Sequence, residues 1–162
     1  MPHPTGYSRV QILLHWAVVI LIVFQFVAHD GIGDAFRTGI RTGTWTITLG
    51  AGLHLLAGSL ILLLAMVRLV LRRERGAPQP PETGAQALAA KLAHGALYVM
   101  MLGLPVGGAI AWANGSRQFA QMHELGANLL LGLIALHVAA AFFGQFVQKS
   151  GVISRMIKAE KP

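Results

Sequence analysis

The stretch Met122-His-Glu-Leu-Gly-Ala-Asn-Leu-Leu-Leu-Gly-Leu-Ile-Ala-Leu-His137-Val-Ala-Ala-Ala-Phe-Phe-Gly-Gln-Phe-Val-Gln148 decides the fold. From Leu125 to Gln148 it contains no Asp, Glu, Lys or Arg. A bilayer core needs about 20 consecutive apolar residues of helix, so this stretch is long enough to cross one. It also carries two histidines, His123 and His137. At a rise of about 1.5 Å per residue they stand about 21 Å apart along a helix. At about 100° per residue their directions differ by only about 40°. One face of one helix therefore presents two imidazoles near opposite sides of a membrane.

Three further charge-free stretches precede it: Val10 to His29, Thr42 to Val67 and Leu92 to Ser116. Each is also long enough to span. The composition agrees, with 54% hydrophobic and only 12% charged residues in 162. An ordinary soluble domain carries about 25% charged residues. The reading is an all-α, integral membrane four-helix bundle, one domain over residues 1–162. Its spans are expected at about 10–29, 45–70, 91–113 and 120–147. Turn residues separate them: Asp30-Gly31-Ile32-Gly33-Asp34, Ala77-Pro78-Gln79-Pro80-Pro81 and Asn114-Gly115-Ser116. Pro105 inside the third span predicts a tolerated kink. No cleavable signal peptide is expected, because the first apolar run is too long and no small-residue cleavage site follows it.

The net charge is +7, which raises nucleic acid as a partner. A nucleic-acid binder spreads its cations over a solvated face. Here they cluster at the ends of apolar runs, so the partner is membrane lipid and no nucleic acid is expected. Ten basic residues (Arg9, Arg68, Arg72, Arg73, Arg75, Lys91, Lys149, Arg155, Lys158, Lys161) fall on one side and three (Arg37, Arg41, Arg117) on the other. The positive-inside rule places both termini and the middle loop in the cytoplasm. Val152, Ile153, Met156 and Ile157 among the tail cations predict a short amphipathic segment on that surface.

The chain has seven histidines and no cysteine. Without cysteine there are no disulfides, thiolate ligands, c-type haem attachments or iron–sulfur clusters. His3 in the polar tail and His29 at an outer helix end read as ordinary surface residues. His15, His54, His94, His123 and His137 lie inside or at the edge of apolar spans. An ionisable side chain there is costly and marks function. A proton relay would also need carboxylates at depth, and the nearest acid is Glu124 at the start of the fourth span. The two-level histidine face suits two haems b stacked across the bilayer, each taking one ligand from the fourth span. A second axial imidazole on each iron favours electron transfer over oxygen binding. Depth pairs His54 with His123 on the outer side. On the inner side His137 can pair with His15 or His94, and depth does not choose between them. His54 counts as somewhat central, so the fourth helix must tilt or extend.

Other residues bear on the same sites. Arg9, Arg68 and Lys91 sit at inner helix ends, where they can snorkel to lipid phosphates or pair with haem propionates and shape a quinone site. Tyr98 is four positions after His94 and shares its helix face; it can pack or hydrogen-bond a propionate or quinone carbonyl. Gly50, Gly52, Gly58, Gly126 and Gly132 allow close approach of a flat macrocycle or of another helix. Trp45 and Trp112 read as an interfacial belt, and Trp16 as a belt residue or a flank of the inner haem.

The opening Tyr7-Ser8-Arg9-Val10-Gln11-Ile12-Leu13-Leu14-His15-Trp16 resembles the start of the bacterial cytochrome b561 family. The resemblance continues through Leu53-His54, Met66-Val67-Arg68-Leu69, Ala93-His94-Gly95-Ala96-Leu97-Tyr98, Leu104-Pro105-Val106-Gly107-Gly108, Met122-His123-Glu124 and Leu136-His137-Val138-Ala139-Ala140. It implies a di-haem b bundle in the bacterial inner membrane that exchanges electrons with ubiquinone. It also implies that the inner ligands are His15 and His137 and the outer ones His54 and His123. His94 is then a quinone-site or propionate contact, or an alternative inner ligand. One branch of the family oxidises superoxide at the outer face, which implies an oxidoreductase of the superoxide:quinone type. The other role implied is a cytochrome b subunit that relays electrons for a partner dehydrogenase or periplasmic protein. The loop around Asn114 to Gln121 is shorter than in similar proteins, and the formal outer charge of Arg37, Arg41 and Arg117 against Asp30, Asp34 and Glu124 sums to zero.

Overall fold

The computed structural model describes residues 4–78 and 83–160. His3, Lys161 and the Gln79 to Pro81 part of the proline-rich loop lie outside them. Among the described residues six α-helices follow one another: α1 (Arg9–Val27), α2 (Asp30–Thr42), α3 (Leu49–Glu74), α4 (Gly84–Asn114), α5 (Arg117–Phe142) and α6 (Val152–Arg155). A π-helical turn, Phe143–Val147, prolongs α5. Four helices (α1, α3, α4, and α5 with its π turn) are long and apolar enough to cross a membrane. Among the described residues there is no strand.

Each long helix starts where a side chain can satisfy its free amides. Ser8 and Gln11 close a reciprocal capping box on α1. Thr48 accepts from the Ala51 amide and starts α3 at Leu49. Ser116 caps α5, accepting from the Phe119 amide. These caps move the second helix start from the expected 45 to 49 and the fourth from 120 to 117. The third helix begins at Gly84 rather than 91, since Ala85 to Leu92 is rich in strong helix formers that continue past the apolar run.

The turn expected at Asp30 to Asp34 is a correction. Those residues open α2. Ile32, Ala35, Phe36, Gly39 and Ile40 recur at helical spacing, and Ala35 and Gly39 are buried. Asp30 lies in the first turn and Arg41 in the last, the order the helix dipole favours. α2 packs on α3 through a close approach of Gly31 to Gly50, where a Cβ on Gly31 would stand 2.8 Å from the Gly50 Cα. Trp45 fills the space between Gly39 and Gly115 and meets Phe36 and Trp112 edge-on. Trp45 and Trp112, expected in an interfacial belt, are thus in ring contact with each other at this end.

The opposite end gathers both tails and the loop after α3. Trp16 Nε1 donates to the Met156 carbonyl at 2.9 Å, Gln11 Nε2 to the Gly76 carbonyl at 3.2 Å, and the Glu160 amide to the Tyr7 carbonyl at 3.0 Å. Gln145 Oε1 accepts from the Ile153 and Ser154 amides and so caps α6, the short segment expected in the tail. The core of Val18, Ile22, Ile61, Ala65 and Met101 sits where α1, α3 and α4 meet.

The packing order decides what the bundle can hold. α1 lies on α3, α3 on α4, and α4 on α5, the last being the most extensive contact. Among the described residues α5 makes no comparable contact with α1 or α3.

Candidate haem sites

His54 is the sixth residue of α3 and His123 the seventh of α5. Both helices start at the α2 end, so the two histidines lie at nearly one depth, and their rings stand 6.2 Å apart. Two imidazoles facing each other from two helices could hold the iron of a haem, which would supply one-electron chemistry there. α5 with its π turn runs from Arg117 to Val147, three residues earlier at its start than the expected span and ending where expected.

His123 is oriented by α4. Its Nδ1 lies 2.9 Å from the Leu104 carbonyl. A carbonyl only accepts, so Nδ1 carries the proton and Nε2 is left with a free lone pair that could bind a metal. The ring rests on Gly108, where a Cβ would come within 3.0 Å of His123 Cε1. Gly126 serves the same contact from α5, with Leu104 Cδ2 2.6 Å from where its Cβ would be. The Leu104-Pro105-Val106-Gly107-Gly108 motif thus supplies both the acceptor and the flat surface for this imidazole. Its role was not visible from histidine spacing.

At the other level His137 meets His94, with ring centroids 5.2 Å apart and planes 82° apart. His94 Nδ1 donates to the Ala90 carbonyl at 2.7 Å. His15 lies within electrostatic reach of His137, His94 and Arg68, and its ring meets Trp16 edge-on. The structure therefore gathers His15, His94, His137 and Arg68 into one cluster and His54 with His123 into another. Tyr98 packs against the core. Arg9 and Lys91 are both exposed. His29 donates from Nδ1 to the Phe26 carbonyl and faces Asp30 at the surface.

Polar atoms left without partners show what these clusters accept. Nε and an Nη of Arg68 are buried and unbonded, as are His54 Nδ1 and Gln25 Oε1. Buried donors are normally satisfied. An Arg68 fork with two free donors near His15 and His137 matches the carboxylates of a haem, and the imidazoles match its iron. The donor set fits the group.

An all-helical, multi-pass membrane bundle with imidazoles clustered at two depths is the architecture of a membrane cytochrome b. Comparison with known proteins agrees. The family model described as prokaryotic cytochrome b561 matches residues 6–159. The chain is 33% identical to cytochrome b562 of Cereibacter sphaeroides, covering 98% of this chain and 99% of that one. It is 27% identical to cytochrome b561 homolog 1 of Escherichia coli K12, over 96% and 98%. It is 26% identical to a protein of Yersinia pestis named probable superoxide oxidase CybB, over 96% and 97%. The chain belongs to the prokaryotic cytochrome b561 family, and so is a bacterial multi-pass membrane cytochrome that binds haem b and works in electron transfer.

Proposed function

We propose that the chain holds two haems b and carries electrons from a donor at the α2 end to ubiquinone in the inner membrane, with superoxide as the donor. The haems supply one-electron storage at two depths. By balance, two superoxide anions, one quinone and two protons give two O₂ and one quinol. With both tails and the loop after α3 cytoplasmic, the α2 end faces outward.

The packing order carries the ligand assignment. A haem whose iron was held by histidines of two helices would need those helices separated by a gap wide enough for the macrocycle. α4 packs directly on α5, which leaves no such gap. α1 and α3 do not, so they are the sources of partners for the two α5 histidines. His54 pairs with His123, and His15 with His137. His94, fixed to Ala90 on the wall of α4, lines the inner site beside His137 instead. Arg68 holds the inner propionates. Haem content separates the two inner pairings. His15→Ala loses one haem and His94→Ala keeps both; the reverse result overturns the assignment.

The donor is a separate matter. Arg37 is neutralised by Asp34 at 2.6 Å, and Asp30 by His29 when that ring is protonated. Arg41 and Arg117 have no ion pair among the described residues and would attract a small anion. Stopped-flow mixing with superoxide reduces the haem if this reading holds, and ubiquinone reoxidises it. The second reading, a relay for a partner dehydrogenase or periplasmic protein, is favoured by the 33% relative, which is named a cytochrome and not an oxidase. Absence of haem reduction by superoxide selects it.

A further inference from the structure

The outer pair is not symmetric. His123 Nδ1 gives its proton to Leu104, but His54 Nδ1 is buried with no acceptor. A ligating imidazole that uses Nε2 needs a partner for its other N–H, because that bond fixes the ring and sets its basicity. Gln25, facing it from α1, is the one uncharged hydrogen-bonding side chain in the outer half of that helix. Its Nε2 already donates to the backbone carbonyl of His54 at 3.0 Å. Its Oε1 is buried and has no donor. Gly58, one turn beyond His54, makes room for the amide: a Cβ there would stand 3.1 Å from Gln25 Nε2. One orphaned donor and one orphaned acceptor thus belong to two residues that are already bonded to each other.

We propose that Gln25 is a positioning residue for the outer haem site, tethering the α3 backbone at His54 through Nε2 and accepting the His54 Nδ1 proton on Oε1. The inference rests on the reading of His54 as an axial ligand. A hydrogen bond from Nδ1–H makes the imidazole a stronger donor to iron, which stabilises the oxidised state and lowers the potential of that haem alone.

The test is a redox titration of the haem-loaded full chain, with low-temperature electron paramagnetic resonance to follow the outer ligand field. Gln25→Met keeps the side chain's length and removes the acceptor. It should retain both haems and shift one of them toward reduction by about tenfold in the equilibrium constant, which for one electron is about 59 mV. Gln25→Glu restores an acceptor oxygen and should return that haem to the native value or below it. Gly58→Ala, which crowds the amide, should shift the same haem in the same direction by less, and carries the test if Gln25→Met loses haem outright. Unchanged potentials in Gln25→Met, or in Gly58→Ala where Gln25→Met holds no haem, overturn the inference. So do equal shifts in both haems, which would mean general loosening of the bundle. His54→Ala is measured alongside. If it loses one haem while Gln25→Met is unshifted, only the Gln25 inference fails. If it keeps both haems, the ligand reading fails and takes the inference with it.

Discussion

Gly108→Ala puts the smallest side chain against the His123 imidazole. The added Cβ would lie 3.0 Å from Cε1 and 3.1 Å from Nδ1. Carbon contacts are comfortable at about 3.5–4.0 Å, so the ring must retreat by roughly 0.5–1 Å. Retreat stretches the 2.9 Å bond to Leu104 beyond about 3.4 Å, where little of it survives. Losing that bond costs about 0.5–1.5 kcal/mol, and overpacking commonly costs about 1–3 kcal/mol. Part of this falls on the folded bundle. The part that falls on the ligand geometry weakens outer-haem retention by on the order of tenfold, the equivalent of about 1.4 kcal/mol. Haem transfer to apomyoglobin, with pyridine haemochrome spectra for stoichiometry, reads it directly. Gly107→Ala is the matched control: a Cβ there meets nothing within 4 Å. It should leave haem retention unchanged and firm α4 by about 0.5–1 kcal/mol. If the two variants release haem at the same rate, Gly108 does not seat His123 and this account of the outer site is wrong.

Arg68→Met removes the buried fork without emptying its space. It should loosen the haem held near His15 and His137 and leave the other in place, as two resolved α-band components would report; equal loss of both would contradict the propionate role. Gly31→Ala drives a methyl to 2.8 Å from the Gly50 backbone, which cannot yield as a side chain would. It should lower stability by about 1–3 kcal/mol, seen as reduced thermal stability in detergent, with faster proteolysis of α2. The Glu160 carboxyl is held below the usual carboxylate range, chiefly by the Thr5 hydroxyl at 2.6 Å and also by the Thr5 amide. A depressed acid stabilises the clasp between the tails above its unfolded value and loses that effect as pH falls through its folded value. The Thr5 amide of the native chain should therefore lose protection, measured against its intrinsic exchange rate, as pH falls, and in Glu160→Gln that protection should change little with pH.

The four spans were legible because apolar length and charge-free runs report lipid exposure directly. The two imidazole levels were legible because the step from His123 to His137 returns nearly to the same helix face. α2 was missed because Asp30, Gly31, Gly33 and Asp34 are individually turn residues. Its signal was the spacing of Ile32, Ala35, Phe36, Gly39 and Ile40, obscured by two glycines, Gly31 and Gly39, standing at positions that the close approach to α3 and Trp45 requires. The choice between His15 and His94 was not legible from depth, since both lie toward the same end. It depends on which helices touch α5, a property of the packed bundle. The orphaned amide of Gln25 was invisible for a similar reason: a lone glutamine in a span says nothing until its partner across α1 and α3 is known.

The central claim is that α5 gives one ligand to each of two haems. Haem-to-protein ratio and redox titration of His123→Ala and His137→Ala, beside the native chain, test it most directly. The account predicts two haems in the native chain and one in each variant, the survivor in His123→Ala having the potential that is lost in His137→Ala. A native ratio of one, or the same haem surviving in both variants, would contradict it.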